Sequence, residues 1–188
     1  GVQIVMARLK EAYLSTITPA LRERFGIDNP MRVPKLKKIV ISMGVGKAAE
    51  NKARMDAAVK DLSRISGQKP AVRSTRQAIS AFRVRENQAI GCMTTLRGKR
   101  MYEFMDRLIS VVLPRIRDFQ GVKDTLDGRG NFSLGLNEQS LFPEVPLDQV
   151  EFPQGMNITF VTNARNDEEG RALLEAFGMP FRRRAQNN

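Results

Sequence analysis

Two different periods of apolar residues alternate along this chain, and that alternation limits the fold more than any other feature. Leu9, Tyr13, Ile17, Leu21 and Phe25 return every four residues, which places them on one helical face. Pro19 interrupts that run. Thr18 is expected to cap a fresh turn with Pro19 in its first position, and Gly26 to stop it. Residues 52–66 form a second helical stretch with Met55, Val59, Leu62 and Ile65 on one side, and Gly67 stands where a left-handed carboxyl-terminal cap belongs. Met101, Met105, Leu108, Ile109, Val112 and Ile116 make the clearest stripe, which Pro114 should kink or end. Asn166 with Glu169 makes a capping-box-like start to a last helix that carries Leu173, Leu174 and Phe177, with Gly178 and Pro180 as its stop.

The period of two appears between these stripes. Ile39-Val40-Ile41-Ser42-Met43 is β-rich and follows the basic lead-in Lys35-Leu36-Lys37-Lys38. Residues 71–76 read as extended. Residues 81–85 and 91–97 read as two strands joined by a turn at Glu86-Asn87-Gln88. Phe132, Leu134 and Leu136 alternate with Asn131, Ser133 and Gly135, and Ile158 and Phe160 alternate with Asn157 and Thr159. Residues 120–130 form a loop with a tight turn at Asp127-Gly128-Arg129-Gly130, and residues 137–155, with three prolines, are irregular. The pattern predicts an α+β fold. An antiparallel-rich sheet of about five strands carries helices packed on one face, and its other face is left open.

A chain of 188 residues with 41% hydrophobic side chains is long enough for one domain with a core, expected over residues 6–181. Met6 is expected as the natural start, with residues 1–5 an amino-terminal extension and residues 182–188 a basic flexible tail. Gly1–Val5 has no basic segment of the kind that opens a signal peptide, and no apolar run is long enough to span a membrane. Cys92 is the one cysteine, so no intramolecular disulfide forms, which fits a reducing compartment.

Charge narrows the function. The net charge is +11, and it is unevenly spread: residues 1–100 carry +14 and residues 101–188 carry −3. One half is therefore suited to a polyanion and the other to something else. Nine basic residues lie between Leu62 and Tyr102, namely Arg64, Lys69, Arg73, Arg76, Arg83, Arg85, Arg97, Lys99 and Arg100, against Glu86 alone. Ser74, Thr75, Gln77, Ser80, Phe82, Thr94 and Thr95 interleave with them. Guanidinium, hydroxyl and amide groups suit RNA phosphates, 2′-hydroxyls and unstacked bases. A solvated basic face is the plainer alternative. On the strand after Gly91, the residues Met93, Thr95 and Arg97 share one face, and on the earlier strand Ser42 shares a face with Val40 and Gly44.

Catalysis finds little support. The chain has no histidine, so the commonest general base is missing. Cys92 in a strand without an activating partner reads as a buried structural thiol. Gly44-Val45-Gly46-Lys47 lacks the spacing of a phosphate-cradling P-loop and reads as a turn after a strand. Asp167-Glu168-Glu169 would complement a helix dipole rather than bind a metal. No cofactor and no metal site are expected.

Several longer stretches carry a resemblance. Lys38-Ile39-Val40-Ile41-Ser42-Met43-Gly44-Val45-Gly46, Leu62-Ser63-Arg64-Ile65-Ser66-Gly67-Gln68-Lys69-Pro70, Ala81-Phe82-Arg83-Val84-Arg85-Glu86 and Thr95-Leu96-Arg97-Gly98 stand in order along the chain. Met101–Leu108, Leu113–Gly121 and Asp127–Phe132 follow. Together they resemble the bacterial-type large-subunit ribosomal protein family, number five in the large-subunit naming, that binds 5S rRNA. The resemblance spans roughly residues 6–181 as colinear blocks. Position 42 is serine where the bacterial pattern usually has asparagine, which weakens an amide-specific contact there.

The resemblance implies a cytoplasmic, ribosome-bound protein of the central protuberance that is not an enzyme. Such a protein would bind 5S rRNA and help to dock it on 23S rRNA, beside other ribosomal proteins of the protuberance. It would touch the P-site tRNA and reach a small-subunit head protein across an intersubunit bridge. Carried onto this chain, the 5S rRNA contacts fall on Ser42, Gln68, Lys69, Thr95 and Arg97. The tRNA-contacting loop falls on Arg73, Ser74, Arg76, Arg83 and Arg85. Phe82 in that loop is expected to be a core residue of its strand. Two other classes stay open beside this reading: a free RNA chaperone or silencing factor with the same basic sheet, and an enzyme acting on nucleotides.

Overall fold

A computed structural model describes residues 7–182 of the chain. The expected extension at residues 1–5, Met6, and the tail beyond Arg182 lie outside the described residues.

The amino-terminal stripe continues through Pro19 instead of restarting there. Helix α1 (Arg8–Ala12) runs into a π turn (Tyr13–Ile17) and on into α2 (Thr18–Phe25). Thr18 has helical dihedrals of φ −59° and ψ −49°, so it is not the fresh cap the sequence suggests. The physical reason is the proline itself. Pro19 offers no N–H to the carbonyl one turn back, and its ring crowds that carbonyl. A widened turn ahead of the proline makes room. The Thr18 hydroxyl donates to the Tyr13 carbonyl at 2.8 Å, and the Thr18 N–H reaches the same oxygen. The second proline is met the same way. Helix α4 (Gly98–Arg107) passes into a π turn (Leu108–Val112) and then a 3-10 turn (Leu113–Arg115) that contains Pro114 and ends the stripe.

Helix α3 (Lys52–Ser66) opens on Asn51, whose side chain accepts from the Ala53 N–H, and closes on Gly67 in the left-handed region at φ 66°. Helix α5 (Asp167–Ala176) opens on Asn166, which accepts from the Glu169 N–H at 2.9 Å. Glu169 returns a bond to the Arg165 N–H, one residue before the one a strict capping box would use.

Five strands form one antiparallel sheet: β1 (Leu36–Gly44), β2 (Ala71–Ser74), β3 (Ala89–Leu96), β4 (Phe132–Leu136) and β5 (Met156–Thr162). The order is β2-β3-β1-β5-β4, and the architecture is α+β with an open sheet. The expected strand over residues 81–85 does not form. Ser80–Phe82 is a 3-10 turn and Arg83 is left-handed at φ 53°, so the chain reverses there, and only Ile79 and Val84 pair. The partner of β3 is instead β2, with Val72 opposite Cys92 and Arg73 opposite Gly91.

Contacts group the chain into two units. Among the described residues, one holds 7–39, Arg97–Leu134 and 159–182. There α1 packs on α4, α2 packs on α5, and Tyr13 stacks on Phe177 with ring centroids 5.9 Å apart. The other unit holds Val40–Leu96 and Gly135–Ile158. There α3 packs on β3 and buries Met55, Ala58, Leu62 and Ile65. Each large apolar side chain among these contributes about 1.5–3 kcal/mol by leaving water.

Candidate nucleic-acid interface

Strand alternation decides which side chains are available. On β1, Ile41 and Met43 are buried while Val40 and Ser42 are half-exposed. On β3, Cys92, Thr94 and Leu96 are buried while Met93 and Thr95 are half-exposed. On β5, Met156 and Ile158 are buried and Asn157 is exposed. One side of each strand thus feeds the core, and the other offers hydroxyl and amide groups. This is the division the period of two implied for Ser42 and Thr95.

Gln68 ties the end of α3 to β3. Its amide nitrogen donates to the Thr94 hydroxyl at 2.6 Å and to the Thr95 carbonyl at 2.8 Å. The first bond satisfies the buried Thr94 hydroxyl, and the second fixes the strand at Thr95. Of the five residues expected at 5S rRNA, the structure brings Gln68 and Thr95 together. Ser42 stands on β1, next to β3 in the sheet. Lys69 is exposed just past Gln68, and Arg97 is exposed as the residue that caps α4.

A polar hollow of about 410 Å³ adjoins Ser42. Asn137, Gln154 and Asn157 line it along with Gly44 and Gly135. Gln154 is oriented by donating to the Gly44 carbonyl at 2.9 Å. These amides were not singled out in the sequence. Asn157 was signalled by its alternation with Ile158. Asn137 and Gln154 fall in the proline-rich irregular segment, where no period places a side chain.

The second basic group stands on an arm made of β2, the following loop and the start of β3. Arg73 and Ser74 lie on β2, and Arg76, Arg83 and Arg85 lie on the loop; all five are exposed. The base of the arm is firmly bonded. The Thr75 N–H donates to the Gln88 carbonyl at 2.9 Å, the Asn87 N–H donates to the Thr75 carbonyl at 3.0 Å, and the Thr75 hydroxyl donates to the Arg85 carbonyl. Gln88 also donates to the Ala49 carbonyl at 2.9 Å. The tip is a tight turn in which Ile79 and Val84 exchange backbone bonds of 3.1 and 3.3 Å. Phe82 is at that turn and is 72% exposed, which overturns its expected role as a core residue of a strand. With no strand at 81–85, no sheet face exists to bury it. Arg83 pairs with Glu50 at 3.5 Å, and both side chains are solvated, so the pair leaves the arm basic at little energetic consequence.

Burial pushes the Cys92 thiol up to about 11, which keeps it protonated and inert. Gly44 ends β1, and Gly46–Ala49 is a 3-10 turn rather than a phosphate-cradling loop. Asp167 spends its carboxylate on the Gly128 and Gly130 N–H groups, at 3.1 and 2.9 Å. Among the described residues no three His, Cys, Asp or Glu side chains stand close enough to hold a metal ion. Among them, too, no helix is long and apolar enough to cross a membrane.

Known proteins match this chain along nearly its whole length. Residues 29–85 match the family described as ribosomal protein L5, and residues 89–181 match the carboxy-terminal part of the same family. The large ribosomal subunit protein uL5 of Rubrobacter xylanophilus is 57% identical over 178 residues, which is 94% of this chain and 99% of that protein. The protein of the same name from Moorella thermoacetica is 55% identical over 94% of this chain and 99% of its own length. That of an Anaeromyxobacter species is 56% identical over 94% of this chain and 98% of its own. The chain therefore belongs to the ribosomal protein L5 family and is a structural, non-enzymatic component of the large ribosomal subunit.

Proposed function

We propose that this chain binds 5S rRNA through the half-exposed side of β1, β3 and β5 and helps to dock it on 23S rRNA in the central protuberance. The observation that carries this reading is the division of β3. Its buried side is apolar apart from Thr94, which Gln68 satisfies, and its open side presents Thr95 and leads into Arg97. Ser42, Gln68, Lys69, Thr95 and Arg97 are the proposed 5S contacts. Short hydroxyls on a rigid strand suit the shape and 2′-hydroxyls of a folded RNA, while Lys69 and Arg97 supply charge. Gln68 acts in this scheme by holding β3 in place as much as by any contact of its own.

The arm is proposed to touch the P-site tRNA through Arg73, Ser74, Arg76, Arg83 and Arg85. The same ribosome accepts every tRNA, so contacts that position without reading bases are needed, and exposed arginines on a loop provide them. The less basic carboxyl-terminal half is proposed to reach a small-subunit head protein in an intersubunit bridge. Its net charge of −3 over residues 101–188 disfavours a second RNA footprint there. The direct test is a gel-shift titration of the purified chain against isolated 5S rRNA at moderate salt. A retarded complex supports the reading. Absence of a shift, with tight binding to unrelated RNA, favours a general RNA chaperone instead.

A further inference from the structure

The arginines of the arm leave one feature without a role. Phe82 is 72% exposed and Ile79 is 44% exposed, both at the tip turn. An open hollow of about 870 Å³ is lined by Ile79, Phe82, Val84 and Ile90, with Lys47 and Arg76 also at its wall. An aromatic ring held in water at the end of a basic arm costs solvation and gains nothing by packing. The turn that presents it is pre-formed. The Phe82 N–H donates to the Ile79 carbonyl at 3.2 Å, and the two-way bonding of Ile79 with Val84 closes the turn. Little further ordering is therefore required when a ligand arrives.

We propose that this hollow captures one unstacked nucleobase of the RNA that the arm contacts, stacked on Phe82. The proposal rests on the reading of the arm as an RNA-contacting loop. The ligand must offer a flat apolar face, which the Phe82 ring and the aliphatic wall accept. It must also be joined to anions, because Lys47 and Arg76 stand at the wall of the hollow and the exposed Arg83 and Arg85 belong to the same loop. A base on its phosphate backbone has both properties. Stacking is also indifferent to base identity, since every base has a π face, so the capture adds affinity without sequence preference. An amphipathic peptide helix fits less well, because it needs several apolar anchors spaced along a groove, and a single aromatic at a turn tip supplies one.

The chain contains no tryptophan, so Phe82→Trp installs a single indole emitter at the site. The full-length Phe82→Trp chain is titrated with two RNA hairpins of equal length and charge. One carries a single bulged adenosine, and the other carries an abasic residue at the same place. The expected result is quenching of the indole by the adenosine hairpin and binding roughly 5- to 100-fold tighter than for the abasic one. In the Phe82→Ala chain that preference should disappear. Equal affinity and equal emission for both hairpins would overturn the base site. The arginine reading is then judged separately in the Arg73→Ala, Arg76→Ala double variant. Weaker binding of both hairpins leaves that reading standing, and unchanged binding removes it. An acidic amphipathic peptide that quenches the indole of the Phe82→Trp chain where neither hairpin does would assign the hollow to a protein partner and overturn the proposal.

Discussion

Strands β1 and β2 belong to the same sheet but follow opposite designs. On β1, Ile41 is fully buried and Met43 nearly so, and from Ile39 to Met43 only the alternate side chains meet solvent. On β2 all four residues are exposed, and the strand stands at the sheet edge, beside β3 alone. Its pairing slips between Arg73 and Ser74. A bare edge invites pairing with another chain, and a short strand bearing an arginine and an irregular register discourages it. On the proposed function, the difference separates two ways of meeting RNA. The interior strands hold small polar groups at fixed positions, which suits a shape that does not change. The edge strand and its loop carry long cations, which suit the variable tRNA surface proposed for the arm.

The largest effect expected from this contrast is on stability. Ile41→Ala should cost about 2–5 kcal/mol in denaturant unfolding, because it empties a closed site. Val72→Ala on β2 should stay within about 0.5 kcal/mol. Equal costs would mean that β2 is as much a part of the core as β1. The next effect separates the two proposed RNA contacts. In ribosomes assembled with the Arg73→Ala, Arg76→Ala variant, 5S rRNA occupancy should be unchanged and P-site tRNA should dissociate roughly tenfold faster. Loss of 5S rRNA with normal tRNA retention would move the arm to the rRNA side.

A smaller effect lies in the salt dependence of 5S binding. Log affinity should fall linearly with log salt, and Arg97→Ala should reduce that slope by about 0.9, the loss of one phosphate contact. Arg129→Ala, in the less basic half, should leave the slope alone. A shallower slope in both variants would spread the footprint over both halves.

The smallest expected effect is a pH dependence beneath the platform. Asp61 is buried and accepts from the Gln139 amide at 3.2 Å. Burial raises its pKa above the ordinary carboxylate value, against smaller opposing effects from Gln139, Arg64 and Lys60. The folded state therefore favours the protonated acid. That contribution is fully present below the unfolded pKa and is lost as pH rises through the folded one. Asp61→Asn should thus melt about 1–3 °C above the parent chain at neutral pH, with the gap closing in acid. A variant that melts lower at neutral pH would show that the carboxylate charge itself holds Gln139.

Much of this organisation was legible in the residues. The period of two assigned Ser42 and Thr95 to the open side because burial on one face forces alternation. Gly67 and Gly26 marked helix ends because both sit in the left-handed region, at φ 66° and φ 58°. The prolines were ambiguous because a π turn leaves no mark on a four-residue stripe, so Thr18 read as a cap. Residues 81–85 read as a strand because β propensity is blind to a reversal at Arg83, and the same error hid Phe82 in a core. Among the residues lining the hollow beside Ser42, Asn137 and Gln154 could not be placed, because tertiary contacts rather than periodicity position an irregular segment.

If 5S rRNA binds the hydroxyl and guanidinium groups of β3 and its continuation, both groups must matter to affinity and not to the fold. The most direct measurement is the 5S rRNA affinity of the Thr95→Ala, Arg97→Ala double variant, with circular dichroism and unfolding to verify the fold. Both side chains are at least partly solvent-facing, so the fold should persist. Affinity should fall by about tenfold or more, given two lost polar contacts, one of them charge-assisted. A folded double variant that binds 5S rRNA as tightly as the parent chain would contradict the account.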